Sequence, residues 1–160
     1  MKSVPRSAQA LKELLPPDKS FCLVGGVFDL LHVGHLHLLE YAATLEQLLV
    51  VAVLSDIYVR EYKNSSRPII NQRQRAEMVS ALRCVDYVYL AEVSPNSART
   101  LDLLRPDSIV FGKDPLSETR LQQRITQVKS SSPKTRIEIL PRYTEEEIST
   151  GLIIRKIRNE

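Results

Sequence analysis

Gly25-Gly26-Val27-Phe28-Asp29-Leu30-Leu31-His32-Val33-Gly34-His35 is the stretch whose reading decides this chain. It follows the apolar run Phe21 to Val24, opens with two glycines, and passes into a helix-like pattern with two histidines three residues apart. That order is strand, tight turn and helix N-terminus. The first turn of a helix carries backbone N–H groups with no intrahelical partner and therefore attracts anions. His32 and His35, on one face at that point, add imidazole donors for phosphate oxygens. Gly34 between them lets a ligand approach the backbone. The combination points to a nucleoside triphosphate. His37 lies two residues past His35, on a different helix face, and reads as a bystander.

Composition narrows the classes. The chain's 160 residues suffice for one domain with a real core and are too few for two ordinary ones, so a single domain over 1–160, with residues 1–19 as an N-terminal extension, is expected. A hydrophobic fraction of 43% with 26% charged residues is globular. The net charge of +3 is too small, and the basic residues too scattered, to indicate nucleic-acid binding. Cys22 and Cys84 lie in apolar runs and read as buried free thiols of a reducing compartment, with no zinc-site spacing. The longest apolar run, Leu48 to Leu54, is far too short to span a membrane, and no apolar segment follows Lys2 and Arg6 as a signal peptide requires. A cytoplasmic protein without membrane association is expected.

Strands and helices alternate along the chain. Strands are expected at Phe21 to Val27, Leu48 to Leu54, Asp86 to Leu90, Ser108 to Phe111 and Arg136 to Leu140. Helices are expected at Ser7 to Leu15, Val33 to Thr44, Asn71 to Leu82, Ser94 to Leu104 (Ser94 as cap, Pro95 in the first position), Leu116 to Ser130 and Ser149 to Arg158. Ser55 to Arg67, polar and carrying Tyr58, Tyr62 and Lys63, reads as a loop with room for a short helix. This is the pattern of an α/β, Rossmann-like, open parallel five-stranded sheet flanked by helices. Ligands of such sheets sit at the carboxyl ends of the strands. Gly26 to His35, Ser55 to Lys63, Gly112 to Asp114 and Thr144 to Thr150 all fall at those ends.

The pattern Gly26-x-Phe28-Asp29-x-x-His32-x-Gly34-His35 resembles the signature of the cytidylyltransferase-like nucleotidyltransferases, and the resemblance runs from about Phe21 to Ile157. These enzymes join a nucleoside triphosphate to a phosphorylated acceptor and release pyrophosphate. The resemblance implies that His32 and His35 contact the phosphates and stabilise the transition state. It places Lys63, ahead of Arg67-Pro68, on the phosphates too. It assigns Gly26, Val27, Phe28, Gly34, Gly112, Asp114, Ile148, Ser149 and Thr150 to the nucleotide. Arg75, with Arg73 as its competitor, and Asp56 are assigned to the acceptor, Asp56 equally readable as a turn cap. Asp29 has two readings, acceptor contact or pinning the turn. Family members often carry Arg-Thr-x-Gly before Ile-Ser-Thr. Here Arg142-Tyr143-Thr144-Glu145-Glu146-Glu147 is longer and acidic, which leaves the arginine's role at Arg142 open. Pro115 replaces an aromatic residue common in heptose-type members.

Val93-Ser94-Pro95 and Leu104-Arg105-Pro106-Asp107-Ser108 resemble the adenylyltransferases acting on glycero-manno-heptose 1-phosphate. ATP and a heptose 1-phosphate are therefore the favoured pair. A cytidylyltransferase for glycerol 3-phosphate or a similar alcohol phosphate, and a catalytically silent nucleotide-binding domain, are the alternatives. An aminoacyl-tRNA synthetase fragment shares the histidine motif, but the chain lacks a later Lys-Met-Ser-Lys-type loop. Mg2+ is expected with the triphosphate, bridging phosphate oxygens while keeping several waters, without a protein cage. The resemblance permits a homodimer.

Overall fold

The computed structural model describes residues 4–62, 67–112, 118–141 and 148–158. Five strands, β1 (Phe21–Gly26), β2 (Leu48–Leu54), β3 (Tyr87–Ala91), β4 (Ser108–Gly112) and β5 (Arg136–Leu140), form one parallel sheet in the order β3-β2-β1-β4-β5. The helices are α1 (Ala8–Lys12), α2 (Val33–Ala43), α3 (Asp56–Tyr62), α4 (Gln72–Ser80), α5 (Ala98–Leu104), α6 (Glu118–Ser131) and α7 (Thr150–Arg158). The expected five-stranded α/β architecture is the one observed.

Period-two alternation along the strands divides the core between two faces. Cys22, Val24, Val51 and Val53 pack with Leu39 and Ala42 of α2 and with Ala76 and Val79 of α4. Leu23, Val50 and Ala52 pack with Leu11 of α1, Leu101 and Leu104 of α5, and Leu121 and Val128 of α6. Each fully buried valine or leucine contributes about 1.5–3 kcal/mol, so β1 and β2, buried on both faces, anchor the fold. Asp107 and Asp86 seat the strand starts: their carboxylates accept from Phe21 N at 2.9 Å and Leu49 N at 2.8 Å.

Two local expectations change, the end of β1 and the cap of α5. β1 ends at Gly26, not Val27, because the chain turns into left-handed geometry at Phe28 (φ 54°) and Leu30 (φ 48°). The short helix that Ser55 to Arg67 could hold is present at Asp56–Tyr62, with the Ser55 hydroxyl accepting from Tyr58 N at 3.2 Å. Ser94 does not cap α5. Ser94 and Ser97 close a turn (Ser97 N to Ser94 O, 3.0 Å), and Ser97 is the cap, accepting from Thr100 N at 3.3 Å. The N-terminal extension packs on the sheet: Leu11 is fully buried, and the Pro5 carbonyl accepts from Leu90 N at 3.0 Å on the edge strand β3.

Candidate functional site

The strand order reverses between β1 and β4, and the segments leaving β1, β2 and β4 surround this point at the carboxyl edge. β1 runs through Val27 to Leu31 into α2. Two non-glycine residues in the left-handed region, Phe28 and Leu30, cost of order 1–3 kcal/mol each. The surrounding contacts hold that turn in place. Phe28 is buried and its ring meets His35 edge-on at 5.4 Å.

Asp29 and Arg75 fix the turn from below. The Asp29 carboxylate accepts from Ile69 N at 2.9 Å, Ile70 N at 3.0 Å and Arg67 Nη1 at 3.0 Å. Burial alone would raise its pKa, but the two backbone N–H groups and the Arg67 guanidinium outweigh this and hold it below the ordinary carboxylate value. Of the two readings of Asp29, the geometry is that of pinning the turn, and the carboxylate has no side open to an acceptor. Arg75 departs further from expectation. Its side chain is fully buried, donating to Ile70 O and Leu54 O at 2.8 Å each, to Asp56 Oδ1 at 2.7 Å and to Val27 O. A phosphate cannot reach it. It joins the ends of β1 and β2 to the 67–70 segment, and it holds Asp56 as an internal ion-pair partner. Arg73, the competitor, lies on the exposed side of α4.

His32 occupies the N-cap position of α2 with extended backbone and no side-chain cap bond. Its ring stacks on that of His35, centroids 3.8 Å apart and planes 27° from parallel. A Cβ at Gly34 would lie 3.1 Å from the His32 ring and 3.6 Å from the Ile148 side chain, so the absence of a side chain lets these groups close together. Ile148 leads into α7, whose N-terminus is capped by the Ser149 hydroxyl accepting from Leu152 N at 3.2 Å. The Thr150 hydroxyl donates to Asp29 O at 2.7 Å and ties α7 to the turn after β1. The N-termini of α2 and α7 therefore meet at the histidine pair. Among the described residues no hydrogen bond uses the backbone N–H of Val33, Gly34, Thr150 or Gly151. Two helix N-termini, free first-turn donors and two imidazoles are a chemistry for polyanions.

Beside this cradle lies an open cavity of about 580 Å³. Gly25, Gly26 and Gly112 line it at the strand ends, Tyr58 of α3 and the 94–97 turn form one wall, and α6 forms the other. Gly25 is required there: a Cβ would lie 2.2 Å from Pro95 Cγ. α6 and Tyr58 were not singled out in the sequence, where a polar helix flank looks like any solvated surface. Lys63, Asp114 and Arg142 lie outside the described residues.

Among the described residues no group of three or more His, Cys, Asp or Glu side chains could hold a metal ion, and Asp29 is occupied by Arg67. A divalent ion accompanying a triphosphate keeps its ligands mainly on phosphate and water and is compatible with this donor set. No helix among the described residues is long and apolar enough to cross a membrane.

The family model described as cytidylyltransferase-like matches residues 23–156. The bifunctional protein HldE of Geotalea uraniireducens is 34% identical over 99% of this chain, which spans 31% of that protein's length. The FAD synthase of Pyrococcus abyssi is 37% identical over 84% of this chain and 90% of its own. A lipopolysaccharide core biosynthesis protein from Thermoplasma volcanium superposes with a TM-score of 0.58 at 27% identity, covering 78% of this chain and 97% of that one. Pantothenate synthetase from Thermus thermophilus shares the fold at 17% identity, with a TM-score of 0.61 over 88% of this chain and 62% of that one. The chain thus belongs to the cytidylyltransferase-like family.

Proposed function

We propose that this domain transfers the nucleotidyl group of an NTP, with ATP favoured, to a small phosphorylated acceptor of the heptose 1-phosphate type, releasing pyrophosphate in the cytoplasm. The observation that carries the reading is the meeting of two helix N-termini at the stacked His32–His35 pair, beside an open cavity. An acceptor phosphate oxygen attacks the α-phosphorus. The new O–P bond forms as the bond from the α-phosphorus to the bridging oxygen breaks, and pyrophosphate leaves with that electron pair. The acceptor phosphate is already an anionic nucleophile at neutral pH, so no strong general base is required. Catalysis then consists of positioning and of stabilising charge on the phosphoryl oxygens.

In this reading His32 and His35 donate to the α- and β-phosphate oxygens. Gly34, Ile148, Ser149 and Thr150 frame the triphosphate, and Gly26, Val27, Phe28 and Gly112 shape the floor beneath the nucleotide. Lys63 supplies a further cation to the phosphates and Asp114 a nucleotide contact. Mg2+ bound to the triphosphate neutralises part of its charge. Support for ATP comes from the relatives' names, HldE and FAD synthase, and from the resemblance of the 93–95 and 104–108 segments to heptose-type members. The FAD synthase relative, of whose length this chain covers 90% at 37% identity, makes flavin mononucleotide the second acceptor reading.

The test is pyrophosphate release with magnesium, crossing ATP and CTP against heptose 1-phosphate, glycerol 3-phosphate and flavin mononucleotide. Acceptor-dependent release with ATP and heptose 1-phosphate is expected. Release only with CTP and glycerol 3-phosphate, or only with flavin mononucleotide, would replace the acceptor assignment. Nucleotide binding without release from any pair would favour a silent binding domain.

A further inference from the structure

The first backbone N–H groups of a helix have no intrahelical acceptor, and what accepts from them fixes how the helix sits. At the start of α3 the Ser55 hydroxyl accepts from Tyr58 N at 3.2 Å. The donor at Asp56 is taken from outside the helix. Gln72, the first residue of α4, accepts from Asp56 N through its side-chain carbonyl at 2.7 Å. Ser55 N in turn donates to Ala91 O at the end of β3, at 2.9 Å.

Asp56 also joins two sides of the cavity. Arg75 Nη2 donates to its Oδ1 at 2.7 Å, while Arg75 Nη1 donates to Val27 O. Val27 and Tyr58 both line the cavity. Tyr58 follows Asp56 by two residues in the same turn of α3, so a shift of the Asp56 backbone is carried directly to it.

The two ties on Asp56 differ in kind. The Arg75 guanidinium is fully buried, and cutting that tie strands a charge. The Gln72 tie is neutral and half-buried, and cutting it leaves one backbone N–H to be solvated. The bonds that hold the histidine turn through Asp29 and Thr150 do not involve Gln72. Gln72 does not line the cavity, so its influence on a ligand must pass through another residue.

We infer that Gln72 is a positioning residue for nucleotide binding: through Asp56 N it sets the orientation of α3 and holds Tyr58 at the cavity wall. This rests on the reading of the cavity as part of the nucleotide site.

The experiment is calorimetric binding of Mg-ATP and Mg-CTP, with the urea midpoint, for the wild type and four variants. These are Gln72→Ala, Gln72→Glu, Tyr58→Ala and Gln72→Ala/Tyr58→Ala. Gln72→Ala is expected to weaken the nucleotide about threefold to tenfold and to lower the midpoint by no more than about 0.5 M. Glutamate keeps an acceptor oxygen at the same reach, so Gln72→Glu should bind within about twofold of the wild type. In the Tyr58→Ala background, losing Gln72 should cost less than about twofold more, because the residue it acts through is already gone. Unchanged affinity in Gln72→Ala, full additivity in the double variant, or Gln72→Glu as weak as Gln72→Ala overturns the assignment. A lowered midpoint with unchanged affinity reduces Gln72 to a support of the fold and overturns it equally. A wild type that binds neither nucleotide refutes the reading of the cavity and this role with it. Binding that is indifferent to Gln72 refutes the positioning role alone, so the two failures are distinct.

Discussion

Arg75→Met separates the sequence expectation from the structural one. The sequence suggests an arginine directed at the acceptor; the structure shows a fully buried guanidinium that clamps Val27, Leu54, Ile70 and Asp56. Breaking a buried ion pair from one side costs about 3–5 kcal/mol. Asp56 is 17% exposed and regains some water when its partner is lost, which favours the lower end, about 3–4 kcal/mol. With a urea m-value of about 2 kcal/mol/M, the unfolding midpoint should fall by roughly 1.5–2 M. That is a large fraction of the ~5–15 kcal/mol available to a domain, so Arg75→Lys is measured alongside. Lysine keeps the charge but offers three donors from a point instead of a fork, and should fall between the two. Urea unfolding followed by circular dichroism gives the midpoint. Activity falls in either case, because the clamp positions the turn carrying His32. The deciding observation is therefore stability: a midpoint unchanged in Arg75→Met, together with a raised acceptor KM, would refute the clamp and restore the acceptor contact.

Three more expectations concern the same edge of the sheet. Asp29→Asn should destabilise by about 2–3 kcal/mol at neutral pH, since a neutral amide cannot accept from all three donors. Because the folded pKa of Asp29 lies below its ordinary value of 3.8, its contribution is present above that value and lost as pH falls through the folded one; the variant's acid unfolding curve should lack this component. His35→Ala should lower kcat by about 10²–10³ with the circular dichroism spectrum retained. His37→Ala should change kcat far less, and a comparable loss would show that His37, not the stacked pair alone, reaches the phosphates. Gly25→Ala should cost about 1–3 kcal/mol and narrow the cavity, as its methyl group collides with Pro95, whose ring cannot swing aside; an unshifted thermal midpoint would contradict the packing.

The parts of this fold that show in the sequence are those where one physical requirement dominates. Leu48 to Leu54 is apolar throughout because β2 is buried on both faces, and a helix must start near His32 because two glycines and a turn precede an apolar period. Arg75 was hidden because an arginine in a polar helix ordinarily points to solvent. The available signal was its position four residues before buried Val79 and beside buried Ala76. The left-handed turn at Phe28 and Leu30 carries no glycine or asparagine to announce it and exists because tertiary contacts impose it. α3 was obscured for the opposite reason: Asp56 to Tyr62 is short and mixes charged with apolar residues, and its start depends on Ser55 and on the distant Gln72, whose side chain accepts from Asp56 N at 2.7 Å.

The division of labour at the site follows from topology. With the order β3-β2-β1-β4-β5, the chain leaving β1 enters α2 on one face of the sheet, while α6, the helix that follows β4 in the chain, packs on the other. Neighbouring strands thus lead to helices on opposite faces, and the space between their carboxyl ends has no crossover above it. The proposed phosphate cradle sits where Asp29, Arg67, Arg75 and Thr150 immobilise the turn. The exposed face of α6 shares none of these bonds. Its side chains can change without disturbing the buried clamp, so that face of the cavity is free to vary while the turn after β1 stays fixed.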